Sequence, residues 1–380
     1  MIKRSRLALP GILLVSAIIL AGCGNPTLPA TTPASATSAP ATAAPGTENL
    51  SWLKVYFTDP NPPDNQANGI DRFVVPVLDA ATKSIDVASF DFTLPSVTRA
   101  LVNARKRGVS VRMVLDEVNG DHQLEAIPSA NIEAFDALKA LQDAGIPVVN
   151  GGRSSGLMHD KIIIVDGMTL FMGSWNMSYN DTFRNNNNLL QITAQKLVAN
   201  YQAKFNELYV DKRFGTKARV GALTPSMTVN GVQVENYFSP PDEVMQKLVA
   251  QVKAAQKSIK FMAFTYTHAD LSNAMIERAK AGVKVEGVIE NRGASQGALV
   301  PLFCAKLPVK TDGNKYTMHH KVIIIDDETV ITGSFNFTKA ADTENDDNVL
   351  IIHSKTVAAA YNLEFGKVYG MGQTPSNVTC

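Results

Sequence analysis

Residues 158–166, Met158-His159-Asp160-Lys161-Ile162-Ile163-Ile164-Val165-Asp166, return at 318–326 as Met318-His319-His320-Lys321-Val322-Ile323-Ile324-Ile325-Asp326. In both places a histidine and a lysine two residues apart precede four apolar residues and an aspartate. Side chains alternate along an extended chain, so His159 and Lys161 share one face, as do His319 and Lys321, while His320 points the opposite way. The apolar run is too short for a helix and apolar at every position, which predicts a strand covered on both faces.

The duplication extends outward in both directions. Gly173-Ser174-Trp175-Asn176 matches Gly333-Ser334-Phe335-Asn336 at the same spacing of 160. Upstream, Lys83-Ser84-Ile85-Asp86-Val87-Ala88-Ser89-Phe90 matches Lys257-Ser258-Ile259-Lys260-Phe261-Met262-Ala263-Phe264 at a spacing of 174, so copy one carries 14 extra residues between Asp116 and His159. Within copy one, Ile70, Phe73, Val74, Val77, Leu78 and Ala81 recur at helical spacing, and Ile85 to Phe90 reads as a strand. A helix through Arg99–Arg107 ends at Gly108 and is followed by a strand over Val109–Leu115. A helix over 131–144 stops at Gly145. Strands follow at 162–165, 170–172 and 189–192, and a closing helix at 195–209. The class is α/β: two tandem repeats, each a mixed β-sheet flanked by helices, packed about a pseudo-twofold axis. The first repeat occupies 49–215, a polar joint marked by Gly221, Pro225 and Gly231 occupies 216–231, and the second repeat 232–370.

With 45% hydrophobic and 19% charged residues the chain is foldable and neither wholly disordered nor collagen-like. Removing Lys3, Arg4 and Arg6 from the totals leaves 33 basic against 35 acidic side chains, which argues against a protein whose main task is coating nucleic acid. Those three cations precede the apolar run Leu7–Leu20, a secretory signal in length and flanks. The run closes on Leu20-Ala21-Gly22-Cys23, which resembles a bacterial lipobox. Residues 1–23 are therefore expected to be a lipoprotein signal peptide, with Cys23 lipidated and the protein held extracytoplasmically on a bacterial membrane. Residues 24–48, almost wholly Ala, Thr, Pro, Ser and Gly, read as a disordered tether. Cys304 and Cys380 remain after export and are free to pair in an oxidising compartment.

If the copies pack about their axis, two imidazoles and two ammonium groups converge on one cleft, a site for an anion such as phosphate. One neutral histidine attacks phosphorus to form a phosphohistidine, and the other, protonated, gives its proton to the leaving alkoxide. The lysines supply the charge that a metal would otherwise provide, so neither metal nor cofactor is expected.

The duplicated HxKxxxxD followed by GSxN resembles the phospholipase D superfamily, over nearly everything from Leu50 to Val368. By that resemblance His159, Lys161, His319 and Lys321 are catalytic. Asn176, Asn336, Ser174 and Ser334 bind or support the substrate phosphate, and Asp166 and Asp326 hold the strand and its turn. The family often carries a carboxylate in a downstream N-x-E-N segment that orients a histidine. Copy two has Asn345-Asp346-Asp347-Asn348, with Asp347 in that place, whereas copy one has Asn185-Asn186-Asn187-Asn188, with Asn187 instead. On the family's analogy Asp347 reaches across to His159, which makes His159 the expected nucleophile and leaves His319 with an amide.

For the substrate, Leu299-Val300-Pro301-Leu302-Phe303 reads as an apolar run in a loop flanking the cleft, and with the lipid anchor it favours phospholipid at a membrane surface. The segment 319–348 looks most like the small endonucleases of the superfamily, so nucleic acid stands as the alternative substrate. An inactive phosphate-binding scaffold is a second alternative, supported by Asn187 alone. The stretches 291–317 and 119–129 are expected to flank the cleft. One chain carries both halves, an internal pseudo-dimer that functions as a monomer.

Overall fold

In the computed structural model, which describes residues 48–376 and 378–380, each copy winds into one mixed sheet. The leader, Cys23 and nearly all of the 24–48 tether lie outside the described residues. Copy one runs through β1 (Leu53–Phe57), β2 (Ser84–Ser89), β3 (Ser110–Leu115), β4 (Gln123–Leu124), β5 (Phe135–Asp136), β6 (Val148–Asn150), β7 (Ile162–Val165), β8 (Thr169–Gly173) and β9 (Asn188–Ile192). Seven of these form a sheet in the order β1-β9-β8-β7-β2-β3-β6. Copy two runs through β10 (Ser226–Val229), β11 (Val232–Ser239), β12 (Ser258–Ala263), β13 (Lys284–Ile289), β14 (Val309–Thr311), β15 (Lys321–Ile325), β16 (Thr329–Gly333) and β17 (Asp347–His353), with the order β10-β11-β17-β16-β15-β12-β13-β14. Register repeats with the sequence: Val87 opposes Ile163 in copy one, and Phe261 opposes Ile323 in copy two.

Both faces of the central strands are covered, as their unbroken apolar run requires. Ile163 and Val165 face a core private to copy one, and Ile323 and Ile325 one private to copy two. Ile162 and Ile164 meet Val322 and Ile324 in a third core that both copies build. The closing helices, Gln195–Asn206 and Lys355–Met371, complete it with Leu197, Tyr201 and Phe205 from one and Val357, Tyr361 and Phe365 from the other. These triplets sit at the same spacing of 160, so the shared core itself has the pseudo-twofold arrangement.

Three local expectations change. The helix expected over 131–144 is confined to Ala137–Asp143, because the Asp136 side chain accepts the Lys139 N–H and caps the helix there. Asn131 instead takes a left-handed turn, and Phe135–Asp136 pairs with Gln123–Leu124 in a hairpin that lies in the extra stretch of copy one. The first helix breaks into a 3-10 turn, Ile70–Phe73, and the short helix Val75–Asp79. The third change concerns Leu299–Phe303, which lies in a helix, Leu299–Cys304, whose Leu299 and Leu302 are buried in the core of copy two. An apolar run of that length reads the same whether it faces solvent or a sheet, and here it faces the sheet. Cys304 is joined to Cys380 in a disulfide.

Asp166 and Asp326 end their strands at φ +54° and +56°, and each carboxylate collects backbone N–H groups from the neighbouring strand's start. Asp166 accepts those of Thr82, Lys83 and Ser84, and Asp326 those of Gln256, Lys257 and Ser258. An alanine at 166 removes a charged acceptor shared by three backbone N–H groups and leaves a non-glycine residue at positive φ, so Asp166→Ala is expected to lower the unfolding free energy by about 2 kcal/mol. Urea denaturation checks this, and an unchanged midpoint and slope would contradict it.

Candidate active site

The chain approaches β7 and β15 in extended segments that are stitched to the opposite copy. His159 donates its backbone N–H to the Asp346 carbonyl at 2.9 Å, and His319 donates to the Asn186 carbonyl at 2.9 Å. Met158 bridges to Asp346 and Met318 to Asn186, the same contact made twice. The histidines therefore arrive at one place because each is pinned to the other copy's Asn-rich segment.

Each histidine shares a face with its lysine, and a phenylalanine marks that face. Phe90 meets the His159 ring edge-on at 5.3 Å, and the Lys161 ammonium stands 5.5 Å from its centre. Phe264 does the same for His319 and Lys321, at 4.6 and 4.7 Å. The lysines fold back, each Nζ donating to its own histidine's carbonyl at 2.8 Å, which fixes the ammonium and leaves donors for an anion.

Across the interface Asp347 Oδ1 lies 2.7 Å from His159 Nδ1, and Asn187 Oδ1 lies 3.0 Å from His319 Nδ1. Both partners are acceptors in this geometry, so the hydrogen bonds assign the proton to Nδ1 and leave Nε2 of each ring with its lone pair. Ser334 Oγ donates to Asp347 Oδ1 at 2.6 Å and Ser174 Oγ donates to Asn187 Oδ1 at 2.8 Å. Both serines are fully buried and also accept the N–H of Asn348 and Asn188. The two serines expected at the phosphate thus stand behind the groups that hold the histidines, fully buried and with their hydroxyl hydrogens already donated. Asn176 and Asn336 are buried at the site; Asn176 Nδ2 donates to Asp91 Oδ2 at 3.3 Å, whereas Asn336 Oδ1 has no partner among the described residues.

A cavity of about 340 Å³ opens onto His319, Asn176, Asp91, Asp181, Asn185, Phe264, Thr265, Arg292 and Thr317. His159, Lys161 and Lys321 are buried, the lysines 2% exposed. Burial first and the Lys161 charge second hold His159 below the ordinary histidine value. Burial takes His319 down to about 3, with Lys321 and Lys161 adding to it and Asp181 opposing. Lys321 is pushed well below its usual range by burial and by Lys161. Each lysine acts on the other copy's histidine, so the two imidazoles and two ammonium groups of the motifs lie near one another.

The sequence points to Asp347 alone as a carboxylate beside the histidines, and the structure adds two. Asp91, next to Phe90, is raised to about 6 by burial and faces Lys161. Asp181 Oδ2 lies 3.4 Å from His319 Nδ1. Neither belongs to the HxK or GSxN pattern; the only signal in the sequence is that their counterparts in copy two are Thr265 and Ala341. The flanking stretches do wall the cleft. Asp121 and Gln123 to Ser129 line a cavity of about 710 Å³ together with Asp91 and Asp181, and Asn291, Arg292 and Asn314 to Thr317 line one of about 360 Å³. Trp175 and Phe335 are buried filler, and His320 turns away from the site onto Asn188 and Glu364.

A family model described as Cardiolipin synthase, PLD-like domain, matches residues 74–209 and 248–369. Phospholipase D of Rickettsia conorii is 37% identical over 131 residues, covering 34% of this chain and 66% of that protein. The mitochondrial cardiolipin hydrolase of Chlamydomonas reinhardtii is 25% identical over 209 residues, covering 48% of this chain and 93% of that one. The chain thus spans somewhat under two thirds of the length of the Rickettsia conorii protein. In fold it is similar to phosphatidylserine synthase of Haemophilus influenzae, with a TM-score of 0.63 at 13% identity over 84% of this chain and 86% of that one. The match of both copies to one family model, on a site that draws a histidine and a lysine from each, places the chain in the phospholipase D superfamily.

Proposed function

We propose that the protein cleaves the head-group phosphodiester of a phospholipid through a phosphohistidine, without a metal. The observation that carries this reading is the pair of imidazoles whose Nδ1 atoms are held from behind by the opposite copy. His159, with Asp347 at 2.7 Å to stabilise positive charge on the ring, is the nucleophile. Its Nε2 forms a bond to phosphorus as the bond to the alkoxide breaks, and His319 gives that alkoxide its proton. Neutral His319 then takes a proton from water, whose oxygen attacks phosphorus and releases His159 with a phosphate monoester. Lys161 and Lys321, with Asn176 and Asn336, meet the charge on the non-bridging oxygens.

The membrane part of the reading rests on the expected lipid anchor at Cys23 and on the near-neutral charge. The apolar rim once expected at Leu299–Phe303 no longer supports it. The endonuclease reading is favoured by one observation, the cavity wall where the Arg184 guanidinium stands 5.0 Å from the centre of the Tyr316 ring, with the Lys315 ammonium 5.5 Å from it. Such cation and aromatic surfaces suit a nucleotide strand. Protein lacking residues 1–23, given phospholipid vesicles and plasmid DNA in parallel with chelator present, separates the readings. Head-group release without nicking is the expected result, nicking without release establishes the nuclease, and activity only on metal addition contradicts the metal-free mechanism.

His159→Ala is expected to lower kcat at least ~10⁴-fold and to abolish an acid-labile, base-stable phosphoryl label that the parent accumulates on rapid quenching. Label that survives in His159→Ala and is lost in His319→Ala would reverse the assignment. Asp347→Asn keeps the shape of the acceptor but removes its charge, and is expected to lower kcat about 100-fold or more with a smaller change in KM.

A further inference from the structure

Copy one has no carboxylate at the position that serves copy two. Asp347 and Asn187 occupy the same place, each held by the serine of its GSxN segment and each touching a histidine of the opposite copy. His319 is nevertheless not without a negative charge. Asp181, six residues before Asn187 on the short helix Tyr179–Phe183, puts Oδ2 3.4 Å from His319 Nδ1. The counterpart of Asp181 in copy two is Ala341.

The hydrogen bonds around the two carboxylates have moved with the charge. Asn345 Nδ2 reaches Asp347 Oδ2 at 3.4 Å, while its counterpart Asn185 Nδ2 donates to Asp181 Oδ1 at 2.6 Å. Asn176 adds its backbone N–H to Asp181 Oδ2 at 2.9 Å. Asp181 is 3% exposed, and a buried carboxylate with two donors and an imidazole persists in its charged form. Burial by itself would raise it, but His319 and these donors bring it below the usual carboxylate range.

We propose that Asp181 is the positioning carboxylate of His319, the charge having been displaced from position 187 to position 181 within copy one. Asn187 keeps the ring in its tautomer, and Asp181 stabilises the imidazolium. The role is divided between two residues where Asp347 performs both for His159. The inference rests on the phosphodiesterase reading above only in making that imidazolium the proton donor. The other charged groups at His319 are Lys321 from its own strand, Lys161 and Asp91 from copy one, and Arg292 on the cavity wall.

The test compares the parent, Asp181→Asn, Asn187→Asp and the double variant on bis(p-nitrophenyl) phosphate, a diester that favours neither lipid nor nucleic acid. Asp181 raises the affinity of His319 for its proton, so removing its charge moves the His319 limb of the pH–rate profile to lower pH. The expected shift is about one unit, with kcat at neutral pH lower by roughly 10- to 100-fold. The double variant, with a carboxylate restored where Ser174 can hold it, returns the limb towards the parent's position. A limb that stays in place in Asp181→Asn, or a double variant no better than Asp181→Asn while its melting temperature matches the parent's, overturns the proposal. If the parent has no activity on the diester, the phosphodiesterase reading fails separately. Imidazole nitrogen NMR of His319 with inorganic phosphate then decides: a titration midpoint lowered by Asp181→Asn and recovered in the double variant supports the role, and equal midpoints reject it.

Discussion

Two backbone hydrogen bonds of equal length, His159 N–H to Asp346 and His319 N–H to Asn186, are the constraint on which the site depends. Each fixes the start of one copy's central strand to the segment of the other copy that carries the histidine's partner. The side-chain contacts from Asp347 to His159 and from Asn187 to His319 then follow from a single step along the chain. Neither copy contains a supported histidine by itself. The shared apolar core beneath, built on Ile162, Ile164, Val322, Ile324 and the two closing helices, is what keeps those bonds in register.

Burying two ammonium groups is costly unless opposite charge is close by. Asp347, Asp181 and Asp91 supply it, and with both imidazoles neutral these three carboxylates outweigh Lys161 and Lys321. The free site is thus poised against further negative charge. An entering phosphodiester adds one, and the balance is restored most directly by a proton on an imidazole. In the proposed mechanism, substrate binding and the charging of His319 are therefore coupled, which reconciles a His319 depressed to about 3 in the free protein with the proton-donor role proposed for it.

Much of this was legible in the sequence for reasons that can be stated. The strand at 162–165 and its partner at 322–325 were readable because a run apolar at every position admits few other structures, and the repeat doubled the signal. The pairing of Asp347 with His159 came from the resemblance, since nothing in spacing brings residues 188 apart together. Leu299–Phe303 was misread because hydrophobicity does not say which surface is covered. Asp181 escaped because its role exists only in three dimensions, on a helix of five residues outside any motif. Comparing the copies residue by residue, with Ala341 opposite Asp181 and Thr265 opposite Asp91, was the one route to it.

The differences between the copies are what a tandem chain permits and a symmetric dimer forbids. In a homodimer every substitution appears twice about the axis. Here the residue between histidine and lysine is Asp160 in one copy, near Lys204 on its closing helix, and His320 in the other, 3.3 Å from Glu364 at the matching helical position. The interface amides turn to suit: Asn348 offers Nδ2 to Asp160 at 2.6 Å, while Asn188 offers Oδ1 to His320 at 3.2 Å. A buried acid with its base in one copy is thus answered by a buried base with its acid in the other. The proposed mechanism asks for the same kind of inequality one residue away, because in it one histidine is neutral when the other is charged. A direct carboxylate at 2.7 Å behind His159 and an amide with a more distant carboxylate behind His319 meet that demand without breaking the backbone symmetry that brings the rings together.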